Sequence, residues 1–381
     1  VCVTSGFDTA GLPYFHQNVF TVAGDLMLFT GRHGKDEGYY TFNLRNGAIR
    51  QLTHETGLNL VVLPHRRAAA FRRGDDVFLL NLDSGDLRKL VTVPHDLLAE
   101  SAGFGFTADE KKLLFAYCDQ LYATHVRVTA TPQKDIHVRR LDYIVAYEKM
   151  PKHNVIYSID IESGKLTPVF RDEQSHWLGH VQGSPADSNR ALFIHEGFVS
   201  VHIKNRLRLL DLRTGAVTTP RTGELENDGI THEFWDRDGE SVWYDISTAG
   251  ALAHLDLRTG VETRYVYRTA GSIRGNRSIH YAIGPGDRWA VGDGFQGDNP
   301  WLYLYRLDQG DLRTGAVPVE RLCDFSAHYN NPNAAYHEPN PHLTPDARWV
   351  LFTAHLKGNA NQIYAVSLPS ESSAGSETAK H

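Results

Sequence analysis

Seven times this chain repeats one pattern. YYTFNLRNGAIRQL, VFLLNLDSGDLRKL, IYSIDIESGKLTPV, LRLLDLRTGAVTTP, LAHLDLRTGVETRY and LYLYRLDQGDLRTG alternate apolar and polar residues, then set a small polar residue before or near Gly. IYAVSLPS is a seventh copy without its turn. Alternation followed by a Gly-bearing turn reads as strand, tight turn, strand. A second series interleaves with the first: DLMLFTGR, RAAAFRRG, KKLLFAYC, NRALFIHE, ESVWYDIS, RWAVGDGF and RWVLFTAH. These stretches are more hydrophobic, as inner strands covered on both faces should be. The turn glycines Gly47, Gly85, Gly164, Gly215 and Gly260 recur about every 40 to 50 residues, the period of a four-stranded propeller blade. The long step to Gly164 holds an extra strand and an insertion, residues 120–155. The spacing therefore predicts an all-β, seven-bladed β-propeller over residues 1–370, with a disordered polar tail at 371–381.

The 381 residues are 41% hydrophobic, enough for such a core. The net charge of −6 and the lack of a Lys/Arg block argue against nucleic acid as a partner. No apolar run reaches membrane-spanning length, so no membrane partner is expected. Three cysteines give no disulfide framework, although one pair could form. The chain starts at Val1 without a signal-peptide pattern; location stays open, with secretion slightly favoured over the cytoplasm.

Function on a propeller concentrates where the innermost strands meet the channel mouth. The twenty histidines, a surplus for this length, point there. His180, His232 and His280 each stand a few residues before the Pro/Gly-Asp turn of a repeat, and YHEPNPH (336–342) stands before another. A position repeated from blade to blade would bring them to one mouth, where a lone His would read as a buried, hydrogen-bonded residue. Pro339 and Pro341 favour extended neighbours, which would put Glu338, Asn340 and His342 on one face and His337 on the other.

From YFHQNVF onward the chain resembles the oligogalacturonate lyase family, most densely at WLGH, HEG, THEFW, SIH, VGDG and HEPNPHLTPDARWVLFT. The resemblance implies a seven-bladed propeller that cleaves uronate oligosaccharides by β-elimination with a bound divalent metal, typically manganese. The family's first metal His matches His280. Counted back from Thr344-Pro345-Asp346, its other ligands fall on Ala335, Glu338 and Asn340, where the family has Gln, His and His. His342 would restore a nitrogen ligand after a small register change. The set His280, Glu338, Asn340 and His342 is richer in oxygen than the family's, which favours calcium, magnesium or manganese. The other reading is that the metal is lost and these residues bind sugar hydroxyls. The family's HEFW histidine is His232. Its catalytic arginine falls near Arg206, with Arg208 as the substitute.

Elimination from a 4-linked uronate removes a weakly acidic C5 proton and spreads negative charge onto the carboxylate. A metal or an arginine must neutralise that charge, a base must take the proton, and an acid must protonate the leaving oxygen. His232 suits the base and Arg206 the carboxylate clamp. His195 is a further catalytic candidate; Tyr143 and Tyr147, in the insertion, are candidate acids. His180, Arg208, Asn340 and Trp235 are candidate substrate contacts. Trp177 and Trp301 either stack on sugars or fill the space between blades. The insertion carries His125, Arg127, His137, Arg139 and Arg140, a basic lid for an anionic oligosaccharide or else a solvated hairpin. Two other functions compete: release of a terminal sugar such as rhamnose from glucuronate in an arabinogalactan-type gum, and non-catalytic glycan binding.

Overall fold

In a computed structural model the chain is described over residues 1–93, 98–99, 103–118, 154–172, 177–196, 206–221, 229–267, 276–295, 299–330, 338–357 and 360–368. Residues 120–153 of the insertion, with Tyr143 and Tyr147, and His337, Ala335 and the 371–381 tail lie outside the described residues; the last two residues of the insertion, Asn154 and Val155, open the strand Asn154–Asp160.

Seven separate antiparallel sheets follow one another along the chain, a seven-bladed β-propeller. The chain divides into two compact units: Val1–Thr56 with Tyr265–His381, and Gly57–Arg264. In the first unit, Thr9–Gly11, Leu26–His33, Asp36–Asn43 and Ile49–Gln51 make the first sheet. Tyr281–Ile283, Ala290–Gly292, Trp301–Tyr305 and Val319–Asp324 make the sixth, and His342–Leu343, Trp349–Ala354 and Gln362–Ser367 the seventh. In the second unit the second sheet starts at Leu58, the fourth at Trp177 and the fifth at Ile230. The third sheet gains an additional strand, Leu98–Ala99, on Lys112–Cys118.

The missing turn of the seventh repeat has a structural counterpart. Among the described residues no strand follows Gln362–Ser367, and the free edge of that strand is covered by Val1 and Val3. Val3 donates to Ile363 O, and Ala365 and Val1 exchange backbone hydrogen bonds of 2.8 and 2.7 Å. An edge left unpaired would expose a row of unmet backbone groups.

The hydrophobic series occupies the second place in each sheet, between two neighbouring strands, as expected of inner strands. Ser241–Ile246 is buried throughout and Ala68–Arg73 almost so. The first strands Trp177–Gly183, Ile230–Trp235 and His342–Leu343 carry His180, His232 with Trp235, and His342, whereas His195 lies on the second strand of the fourth sheet and Arg208 on its third. The repeated turn has one recipe. In Asp211–Gly215, Asp211 Oδ1 accepts from the backbone N–H of Arg213 and Thr214, and Gly215 N–H donates back to Asp211 O with φ 72°. A side-chain acceptor at the first position and glycine at the left-handed fifth make the turn. The sixth copy forms this turn at Asp311–Gly315, downstream of the LDQG that the alternation suggests; Leu307–Gln309 coils into a 3₁₀ turn. Among the described residues no helix is long and apolar enough to cross a membrane.

Candidate functional site

In five sheets the residue directly after the first strand has an N–H that closes a turn onto the second strand: Thr107 on Lys112, Ser184 on Arg190, Asp236 on Ser241, Gly284 on Trp289, Thr344 on Trp349. Four positions earlier stand Gly103, His180, His232, His280 and Asn340. Leu63 of the second sheet gives Asn59 by the same count. The recurrence expected for the histidines is therefore real as a place in the sheet. It has a backbone cause that the sequence did not disclose. Asn59, Gly103, His180, His232 and Asn340 all have positive φ, at 59°, 98°, 49°, 57° and 51°. Asn and His enter this region more readily than most residues, and such conformations gather at functional sites. At Leu58/Val61, Gly179/Gln182 and Thr231/Phe234 the register shifts, so the left-handed residue sits in a β-bulge that re-aims its side chain.

In the first unit these positions build a buried imidazole–carboxylate pair. His280 and Asp293 are both inaccessible, with His280 Nδ1 2.7 Å from Asp293 Oδ2. The backbone N–H of His280 donates to Asp293 Oδ1 at 3.1 Å and that of Asn340 to Oδ2 at 3.4 Å. Asp293 is the aspartate of VGDG, and both flanking glycines are required by crowding. A Cβ on Gly292 would lie 2.3 Å from Ser278 Oγ, and one on Gly294 2.3 Å from Asn299 O. With Nδ1–H given to the carboxylate, the ring presents the Nε2 lone pair. Nε2 stands 3.6 Å from Glu338 Oε2, too far for a hydrogen bond. Burial pushes the Glu338 carboxyl above the usual glutamate range; His280 draws it down and Asp293 pushes it up. Its side chain is nonetheless 47% exposed, so the carboxylate is open at one side. The rings of Tyr14 and Phe15 pack on His280 with centroids at 5.0 and 4.7 Å.

The rest of the YHEPNPH segment behaves differently from an extended run. The left-handed Asn340 breaks the alternation, so Glu338, Asn340 and His342 do not share a face by strand geometry. Asn340 Nδ2 donates to Glu338 O and its Oδ1 accepts from Phe15 N–H, so this amide braces the segment. His342 is buried and gives Nε2–H to Pro13 O at 3.1 Å, leaving Nδ1 as its only ligating atom. Burial holds it down at about pKa 4.

The second unit collects the other candidates on the fourth and fifth sheets. His195 N–H donates to Arg206 O, which makes the two residues a cross-strand pair with side chains on one face. Arg208 stands opposite Phe193, two residues along on the same face. The Arg206 guanidinium meets Glu233, a fully buried carboxylate that the sequence reading left without a role: Nε–Oε1 is 2.5 Å and Nη2–Oε2 3.3 Å. Glu233 O accepts from Gln182 Nε2, and Gln182 O accepts from the Trp235 indole at 3.1 Å. Trp235 also packs on the core between the two sheets, which ties its ring to inter-blade contact. His180 and His232 are half-buried at their bulges.

The protein-family model described as oligogalacturonate lyase matches residues 3–277. An oligogalacturonate lyase of Dickeya dadantii and an oligogalacturonide lyase of Pectobacterium atrosepticum are each 23% identical to this chain, over 93% of it and 89% of their own length. Among solved structures, an oligogalacturonate lyase in complex with manganese has a TM-score of 0.75 at 21% identity, covering 95% of this chain and 91% of its own. An oligogalacturonate lyase of Vibrio parahaemolyticus has a TM-score of 0.76 at 21% identity, covering 97% and 93%.

Proposed function

Since this chain belongs to the oligogalacturonate lyase family, we propose that it cleaves uronate oligosaccharides by β-elimination and leaves an unsaturated uronate. The observation that carries this reading is the Asp293–His280–Glu338 arrangement. An aspartate that fixes the tautomer of a histidine, whose other nitrogen faces a second carboxylate, is the usual surrounding of a bound divalent metal. His280 Nε2 and Glu338 Oε2, 3.6 Å apart, are the two atoms that would hold such an ion. One nitrogen and a hard oxygen suit manganese, the metal of the related structure, or calcium. Such an ion, when bound, neutralises charge that develops on the uronate carboxylate.

The remaining roles fall to the chain's own groups. His280 and Glu338 would hold the ion, and Asp293 orients His280. Arg206 grips a carboxylate through its planar fork. His232, raised from its strand by the left-handed bulge, takes the C5 proton. His195 shares a sheet face with Arg206 and extends the same polar surface; His180 and Arg208 contact the sugar. Oligosaccharides are the substrate class proposed, and longer chains are the finer question. The test is a panel of uronate oligosaccharides and polymers, followed by ultraviolet absorbance of the conjugated product. Chelation should lower the rate, and manganese or calcium should restore it. Binding of these glycans without any product would favour the glycan-binding alternative instead.

A further inference from the structure

We propose that Glu233 is a positioning residue that locks Arg206 as a fixed, protonated cation, so that Arg206 acts as a charge clamp and not as the base. This rests on the lyase reading above. The position itself shows that Glu233 is not there for packing. It follows the left-handed residue of its strand directly. At the same place the second, third, fourth and sixth sheets bury Leu60, Phe104, Val181 and Tyr281. Only a specific partner offsets the cost of a carboxylate where its siblings are apolar.

Arg206 is that partner. Its Nε and Nη2 meet the two Glu233 oxygens side-on, while 14% of its side chain reaches the surface. Taking a proton from this guanidinium would leave a buried carboxylate unpaired, so a proton-abstracting role runs against the surroundings. The pair is also braced from behind. Gln182 and Trp235 join the first strands of the fourth and fifth sheets through Glu233 O and Gln182 O. The backbone that carries Glu233 therefore keeps its place relative to Arg206.

The test compares Glu233→Gln, Glu233→Asp, Arg206→Ala and Arg206→Ala/Glu233→Gln on a uronate oligosaccharide, with kcat and KM measured separately. A shift of about 1 Å in a positioning group costs about 100-fold, so Glu233→Gln should lose roughly 10- to 100-fold in kcat. Glu233→Asp, which keeps the charge at shorter reach, should recover part of it. The double variant should be no worse than Arg206→Ala alone. A folded Glu233→Gln with wild-type kcat overturns the proposal, as does full additivity in the double variant. Should Glu233→Gln fail to fold, Glu233→Leu/Arg206→Met restores the apolar residue of the sibling sheets. It is expected to fold and to lack activity, and activity in it also overturns the proposal. A wild-type protein inactive on every uronate glycan would instead remove the lyase reading.

Discussion

Replacing Asp293 by Asn isolates the carboxylate that orients His280. Asn keeps the shape and leaves one oxygen to accept from the Ile279 and His280 backbone N–H groups, now 3.3 and 3.1 Å from Asp293 Oδ1. Its amide NH₂ cannot accept the Nδ1–H that Asp293 Oδ2 takes at 2.7 Å. The imidazole must then lose that bond or change tautomer, and the second choice puts a hydrogen on Nε2, towards Glu338. The first outcome leaves the ring without the bond that fixes its orientation, and the second removes the lone pair from the side where a metal would sit. Loss of such a supporting carboxylate typically costs about 10- to 100-fold in metal affinity, or about 1.4–2.8 kcal/mol. Manganese titration of metal-free protein, followed by calorimetry, measures this without any substrate. Unchanged manganese affinity in a folded Asp293→Asn would refute the claim that Asp293 serves a metal through His280.

Three further outcomes are expected. Glu338→Gln should weaken manganese binding at least as much as Asp293→Asn, since it removes the charge proposed to hold the ion; equal affinity to wild type would place the ion elsewhere. His232→Ala should lower turnover by about 10²–10⁴-fold with the fold intact, as measured by initial rates, and near-full activity would remove His232 as base. His342 gives a pH signature. Its folded pKa, about 4, lies below its ordinary 6.5, so the unfolded chain binds the extra proton between these values. Stability is then whole above pH 6.5 and falls as pH drops towards 4, by about 3 kcal/mol in all at about 1.36 kcal/mol per unit. Denaturant unfolding across this range should show a slope that His342→Gln loses; an unchanged slope would mean that another group titrates.

Most of the blade architecture was written in the alternation and in the Asx–Gly turns, because both are local. The site was legible only in part, because its causes are not local. His180, His232 and His280 could be placed by their distance from a turn, and so they recur as expected. The left-handed backbone at His232 and Asn340 could not be read, since sequence distance says nothing of φ. That backbone is why Asn340 braces Glu338 through its amide and why strand alternation failed in that segment. Asp293 was visible as the aspartate of VGDG, a charge between two glycines at the end of an apolar strand, yet its partner lies 13 residues away. Glu233 was in plain sight within HEFW; its signal was that the sibling repeats carry apolar residues there, which emerges only once the strands are aligned by their turns.

The bond-breaking step itself gives the most direct test. A uronate oligosaccharide is digested in water enriched in heavy oxygen, and the products are weighed by mass spectrometry. Elimination takes no oxygen from water, so the expected result is a new unsaturated end and no heavy-oxygen label from bond cleavage, with the label judged against products exposed to the same water without enzyme. Saturated fragments that gain heavy oxygen at the cleaved bond would show hydrolysis and contradict it.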